Sequence, residues 1–211
     1  MEKIVILGMG GHARSLADVL ERQQAYEIAG YVVNDASSVN EGCPYPILGN
    51  DSDLERIYQS GITNAAVGVG YLGKSDVRER LWAVLERIGF RLPVVCDPSA
   101  IVSDSAQVGE GSFIGKGAIV NANASVGKMC IVNTGAILEH DCQVGDFSHI
   151  SVGTVLCGEV TIGKSVFVGA NATVVQCLSI GDGSVVGAGT TIRKNVKANR
   201  ITWSGDKVKQ L

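Results

Sequence analysis

From Val102 to Ile192, every sixth residue is Val, Ile or Leu. The series runs Val102, Val108, Ile114, Val120, Val126, Val132, Leu138, Val144, Ile150, Leu156, Ile162, Val168, Val174, Ile180, Val186, Ile192. An amphipathic helix repeats at 3.6 residues and leaves a period of six within two turns, so sixteen positions in register exclude helices here. The residue after the aliphatic is Gly in half the hexads (109, 115, 127, 145, 163, 169, 181, 187). The residue two before it is usually small, as at Ala100, Ala106, Ser112, Ala118, Ala124, Ala136, Ser148 and Ala172. This is the pattern of a hexapeptide β-helix.

Each hexad supplies one short strand and one corner, so three hexads close a triangular coil of about eighteen residues. The aliphatic and the small residue point into the prism. The Gly or Asn beside the aliphatic is expected to ease the corner, where a positive φ is cheap for these residues. Coils stack at roughly 4.8 Å. One coil cannot bury its own face, so the array folds only as a stack.

The first hundred residues read differently. Lys3 to Leu7 is a β-branched run typical of a buried parallel strand. Gly8-Met9-Gly10-Gly11-His12-Ala13 follows, then a helical pattern to about Gln24. Ile28 to Val33 and Ala65 to Val69 read as further strands, Val77 to Ile88 as a helix, and Arg91 to Pro98 as a last strand and linker. Strand–helix alternation predicts a small Rossmann-like α/β domain with a parallel sheet. The expected organisation is residues 1–98 as this Rossmann-like binding domain, 99–197 as the β-helix, and 198–211 as a C-terminal tail.

The binding edge of such a sheet lies at the carboxyl ends of its strands. The Gly8–Ala13 loop, Asn34-Asp35 and Gly70 all fall there. A glycine-rich turn opening a helix presents bare N–H groups and the positive end of the helix dipole to any phosphate. The spacing alone is compatible with a nucleotide-sugar diphosphate, with NAD, or with a purely structural turn.

With 211 residues, 45% of them apolar, the chain is long enough for two modest domains. A net charge of −3 gives no basic surface for nucleic acid. No apolar run reaches membrane length, and the N-terminus lacks a signal-peptide pattern. The six cysteines (43, 96, 130, 142, 157, 177) show no C-x-x-C spacing, so free buried thiols in a cytoplasmic protein are expected. Cys130 and Cys142 take the small inward position of their hexads.

Two of the three histidines lie within ten residues of each other, in Glu139-His140-Asp141-Cys142 and Ser148-His149-Ile150-Ser151. Both are expected on the outside of the prism or at a corner, where a core role is unfavourable. Glu139 stands where half the hexads carry Gly. Ala122 and Gly158 are one coil away from His140 on either side, and small neighbours leave its imidazole open.

A Gly-x-Gly-Gly-His loop joined to a hexapeptide helix with Glu-His-Asp-Cys and Ser-His segments resembles the sialic-acid O-acetyltransferase-like family. The best-known branch of that family, and the one this pattern resembles, comprises bacterial nucleotide-sugar N-acetyltransferases. The resemblance spans essentially the whole chain. It implies a left-handed β-helix, and acetyl-CoA-dependent acetylation of the 4-amino group of a UDP- or dTDP-linked 4-amino-4,6-dideoxyhexose in surface-glycan synthesis. It implies His140 as general base and Asp141 as the acid that raises its basicity. His149, Ala170 and Ala188 would contact acetyl-CoA. Gly10, Gly11, His12, Asn34, Asp35 and Gly70 would contact the nucleotide sugar. The family's Gly-x-Pro-Ala-Lys ending is replaced by Trp203-Ser204-Gly205-Asp206-Lys207.

The chemistry suits these parts. A sugar amine near neutral pH is largely an ammonium ion, and an imidazole of ordinary pKa about 6.5 can take its proton. Thiolate leaves readily, so neither a metal nor a covalent intermediate is required. His140 and His149 are half a coil apart and so lie on different faces of one prism. They could share a substrate only between two chains, which predicts a homotrimer with intersubunit sites. O-acetylation of a sialic acid or other sugar hydroxyl is the nearest alternative, and a non-catalytic nucleotide-binding scaffold is a second.

Overall fold

In the computed structural model the chain divides into two compact units, residues 1–70 with 76–98 and residues 71–75 with 99–211. The structure describes residues 1–34, 44–73, 76–203 and, for the backbone, 207–210. Asp35 and Cys43 lie outside the described residues.

The first unit is a four-stranded parallel sheet, β1 (Glu2–Leu7), β2 (Tyr26–Val32), β3 (Ile47–Gly49) and β4 (Asn64–Val67), in the order β3-β2-β1-β4. Helix α1 (Gly11–Gln23) buries Ala13, Leu16, Ala17, Val19 and Leu20, the apolar stripe of a helical period. It stops at Gln24, which turns left-handed at φ 53°. A short helix α2 (Leu54–Gln59) and α3 (Val77–Ile88) complete the unit, with Leu81 and Leu85 buried on α3. The chain order reverses on either side of β1, so Gly8 and Gly68 leave the sheet side by side at its carboxyl edge. Gly68 is a packing requirement: a Cβ there would fall 2.6 Å from Ala13 Cβ. The strand expected over Arg91 to Pro98 is reduced to an isolated bridge at Arg91 and the two residues of β5 (Val95–Cys96).

In the second unit the six-residue period becomes sixteen two-residue strands, from β6 (Ile101–Val102) to β21 (Thr191–Ile192). Strands eighteen residues apart pair in parallel, as in β11 (Ile131–Val132), β14 (His149–Ile150), β17 (Phe167–Val168) and β20 (Val185–Val186). They form three flat faces of five, six and five strands. Ile114, Val120, Leu138, Ile150, Leu156, Val168 and Val186 have no exposed surface, and each such side chain contributes about 1.5–3 kcal/mol of hydrophobic stabilisation. Cys130 and Cys142 occupy the small inward position and are buried.

The corners depart from the expectation. Positive φ falls three residues after the aliphatic in fourteen of the sixteen hexads, as at Asn123 (57°), Asp141 (60°), Glu159 (61°) and Cys177 (60°), and not at the Gly directly after it. That Gly answers a different demand, because the coils stack backbone on backbone there. A Cβ on Gly109 would lie 2.6 Å from the carbonyl carbon of Gly127, and one on Gly145 equally close to Gly163. The left-handed corner residues are held by backbone bonds they donate to the preceding coil, such as Asp141 N–H to the Ala122 carbonyl at 2.9 Å. After the last coil, β22 (Arg200–Trp203) continues one face beside β20, and β23 (Lys207–Gln210) turns back antiparallel to it. The expected tail is therefore partly a hairpin.

Among the described residues no helix is long and apolar enough to cross a membrane. Nor does any group of three or more His, Cys, Asp or Glu among them have the arrangement to hold a metal ion.

Candidate active site

His140 projects from the corner that follows β12 (Ile137–Leu138). Its Nδ1 lies 2.9 Å from Asp141 Oδ2, and more than half of the side chain is exposed. The left-handed backbone at Asp141 bends its carboxylate back onto the preceding ring. Asn123, one coil earlier, donates to the other oxygen, Oδ1, at 3.3 Å. These two hydrogen bonds, the one from His140 first, hold the Asp141 carboxyl below its usual range. In turn the Asp141 hydrogen bond raises the pKa of His140, helped by the charges of Glu139 and Glu159. A carboxylate only accepts, so the Nδ1 proton points to Asp141 and Nε2 keeps its lone pair. That nitrogen lies over Gly158, where a Cβ would be 2.5 Å away. Glu139 accepts from Asn121 Nδ2 at 3.1 Å, repeating the same asparagine-to-acid rung beside it.

His149 stands on the outer side of a strand, as the repeat places it, but it is covered and only 7% exposed. Tyr71 and Phe167 cover it: Nδ1 bonds the Tyr71 carbonyl at 2.7 Å, and the Phe167 ring meets it edge-on at 5.2 Å. Tyr71 belongs to the five residues, 71–75, that group with the solenoid. Ala170 and Ala188 stand in one column, eighteen residues apart at the corner after β17 and β20, Ala188 exposed and Ala170 half-buried. That corner is not the corner of His140, so within one chain the structure does not bring His140 together with the two alanines.

In the first unit, Gly10, Gly11, His12 and Gly70 gather at the carboxyl edge of the sheet. Open space surrounds the Cβ positions of Gly10 and Gly11, and one on Gly70 would be 3.9 Å from His12 Cβ. Gly10 caps a helix whose first turn holds no acidic residue, so the dipole faces the edge unopposed. Asn34 is committed internally, because its Oδ1 accepts the Asp51 N–H at 2.9 Å and its Nδ2 donates to the Asp51 carboxylate.

Asn123 and Tyr71 were not singled out by the sequence. Asn123 was within reach, since it sits one coil of eighteen residues before Asp141. Tyr71 was not, because no period links it to a histidine 78 residues away.

The PglD N-terminal domain family matches residues 3–85, and the bacterial transferase hexapeptide family (six repeats) matches residues 159–194. No curated protein matches the chain in sequence. Among solved structures, a histidine-to-asparagine mutant of perosamine N-acetyltransferase from Caulobacter crescentus, in complex with CoA and GDP-perosamine, is 29% identical. It covers 99% of this chain and 97% of its own, with a TM-score of 0.92. PerB from Caulobacter crescentus, also with CoA and GDP-perosamine, is 30% identical over 99% and 98% of the two chains, with a TM-score of 0.91. The acetyltransferase domain of PglB from Neisseria gonorrhoeae, in complex with acetyl coenzyme A, is 30% identical over 100% and 99%, with a TM-score of 0.88. Fold and comparisons together define a left-handed β-helix acetyltransferase with an N-terminal α/β domain. The chain belongs to the hexapeptide-repeat sugar N-acetyltransferases that carry a PglD N-terminal domain.

Proposed function

We propose that this chain transfers the acetyl group of acetyl-CoA to the 4-amino group of a nucleotide-linked 4-amino-4,6-dideoxyhexose, with His140 as the general base. The observation that carries this reading is the His140–Asp141 pair, set at an open corner over a glycine with the ring's Nε2 free to accept. The free amine attacks the thioester carbon as Nε2 takes its proton. A C–N bond forms, the C–S bond breaks, and the proton held by His140 passes to the departing thiolate. The ammonium form first gives its extra proton to solvent, and a raised His140 pKa makes the ring a stronger base for the proton the nitrogen loses as the C–N bond forms.

Gly10, Gly11, His12 and Gly70 are the contacts we assign to the nucleotide sugar, and Asp35, outside the described residues, is assigned with them from the sequence alone. Asn34 would join only by releasing Asp51. His149, Ala170 and Ala188 are assigned to acetyl-CoA. Because His140 and the alanine column occupy different corners, a second copy of the chain would complete each site, which supports a homotrimer. A cytoplasmic setting is supported by the acetyl-CoA requirement and by the free thiols at Cys96, Cys130, Cys142, Cys157 and Cys177. The Caulobacter relatives hold GDP-perosamine, so GDP joins UDP and dTDP as a nucleotide to test.

The test is CoA release from acetyl-CoA with a panel of UDP-, dTDP- and GDP-linked 4-amino-4,6-dideoxyhexoses, beside His140→Ala. Turnover with one sugar, lost by about 10²-fold or more in the variant, is expected. Transfer only to a sialic acid or sugar hydroxyl would replace this reading with O-acetylation, and no binding of acetyl-CoA would leave a scaffold. Full activity from a sedimenting monomer would overturn the intersubunit site.

A further inference from the structure

A histidine whose two nitrogens face groups of fixed polarity has its protonation set by those neighbours. The Nδ1 of His149 lies 2.7 Å from the Tyr71 carbonyl oxygen, which only accepts, so Nδ1 carries a proton. Its Nε2 lies 3.2 Å from Asn133 Nδ2. The Asn133 amide cannot be turned over, because its Oδ1 accepts the Thr134 N–H at 2.8 Å and a flip would set two N–H groups against each other. Nδ2 therefore donates and Nε2 accepts. The two ends of the ring are fixed independently, and they agree on a neutral imidazole with its proton on Nδ1. An imidazolium would bring Nε2–H against Nδ2–H inside a site from which solvent is largely excluded.

What imposes this state is a piece of chain from outside the repeat. Tyr71 donates its phenol proton to the Ser165 carbonyl at 2.7 Å and is itself 6% exposed. Gly73 follows with φ +89°, and a Cβ there would run into Val185 Cγ2 and lie 3.5 Å from Phe167 Cβ. His149, Phe167 and Val185 are register partners on three successive strands of one face. Residues 71–73 thus lie across β14, β17 and β20.

We propose that residues 71–73 are a positioning strap that fixes His149 as the neutral Nδ1–H tautomer, so that His149 orients the Asn133 amide and takes no proton during turnover. Its consequence for catalysis rests on the acetyltransferase reading above. A contact of His149 with acetyl-CoA is then restricted in kind. Nε2 can accept an N–H from the pantetheine arm by displacing Asn133, and it cannot donate to the thioester oxyanion. Tyr71 acts through His149 and is a positioning residue.

The experiment has two readouts on the intact protein. Nitrogen-15 NMR of labelled histidines, assigned with single His12, His140 and His149 variants, reads the tautomer with and without acetyl-CoA. We expect a pyrrole-type Nδ1 and a pyridine-type Nε2 for His149, unchanged between about pH 6 and 8. Tyr71→Phe keeps the carbonyl but unties its anchor on Ser165. It should mix the tautomers and raise KM for acetyl-CoA about 3- to 10-fold, the worth of one hydrogen bond, with kcat within about twofold. An Nε2–H pattern, or a His149 that titrates in that window, overturns the proposal. So does a Tyr71→Phe enzyme with unaltered spectrum and KM. The spectrum needs no turnover, so an inactive protein with the expected tautomer would sink the acetyltransferase reading alone.

Discussion

Replacing Gly158 with alanine places a methyl where the His140 ring lies. The new Cβ would be 2.5 Å from Nε2, 2.6 Å from Cε1 and 3.2 Å from Cδ2, so the ring must withdraw by about 1 Å to reach ordinary contact. It cannot withdraw and keep its 2.9 Å bond to Asp141, because that carboxylate is itself tied to Asn123 and to a left-handed corner. A displacement of about 1 Å at a reacting group costs roughly 10²-fold in rate, or about 2.7 kcal/mol of transition-state stabilisation. Gly158 is not in the left-handed region, so alanine brings no backbone strain. The expected enzyme melts within about 3 °C of the parent, while kcat for amino-sugar acetylation falls about 100-fold. Steady-state CoA release and a thermal melt, run on the same preparation, decide it. Unchanged kcat with an unchanged melt would refute the reasoning, because His140 would then not need the place it holds over Gly158.

Asp141→Asn removes the main cause of the raised His140 pKa. The base must be neutral to accept a proton, so the acid limb of kcat/KM should move to lower pH, while the plateau drops by about 10- to 100-fold; a limb that stays put counts against the pair. Gly68→Ala forces a methyl to 2.6 Å from Ala13 Cβ and pushes α1 off β4, an overpacking of about 1–3 kcal/mol. A thermal melt should fall by about 3–10 °C, and KM for the nucleotide sugar should rise. The Cys142 thiol is pushed up to about 11 by burial, whereas Cys177 is exposed. Iodoacetamide at about pH 8 should therefore alkylate Cys177 in the native protein and spare Cys142 until it unfolds, as peptide mass mapping would read.

How far the sequence carries depends on whether an interaction follows the repeat. Val102 to Ile192 yields the strands, the inward positions and the exposed corner of His140, because a strict period converts sequence separation directly into neighbourhood. It also brings Gly158 next to His140, and the same count of eighteen residues would have found Asn123 beside Asp141. Where the pattern misleads, the reason is geometric. Glycine directly after the aliphatic, in half the hexads, suggested a left-handed turn, but the left-handed residue comes three positions after the aliphatic, and the glycine is there because adjacent coils touch through their backbones. The strand periods of the first unit located β1, β2 and β4, yet β3 and α2 went unread, being three and six residues long and without a full period to display.

His149 shows the limit most clearly. Alternation along a strand correctly turns its ring away from the prism, and an outward residue is ordinarily exposed. Its burial comes from Tyr71, a residue with no periodic relation to it, reached across a separation that only tertiary structure closes. The two histidines therefore differ in kind despite their similar settings in sequence. His140 has one nitrogen tied to a carboxylate and the other open, the state of a group that exchanges a proton. His149 has both nitrogens engaged by groups of fixed polarity, the state of a group that holds a neighbour in place. A reading that assigns chemistry by residue type alone treats them alike. The hydrogen-bond partners separate them, and that separation is what the pH profile of Asp141→Asn and the histidine spectrum would each measure from its own side.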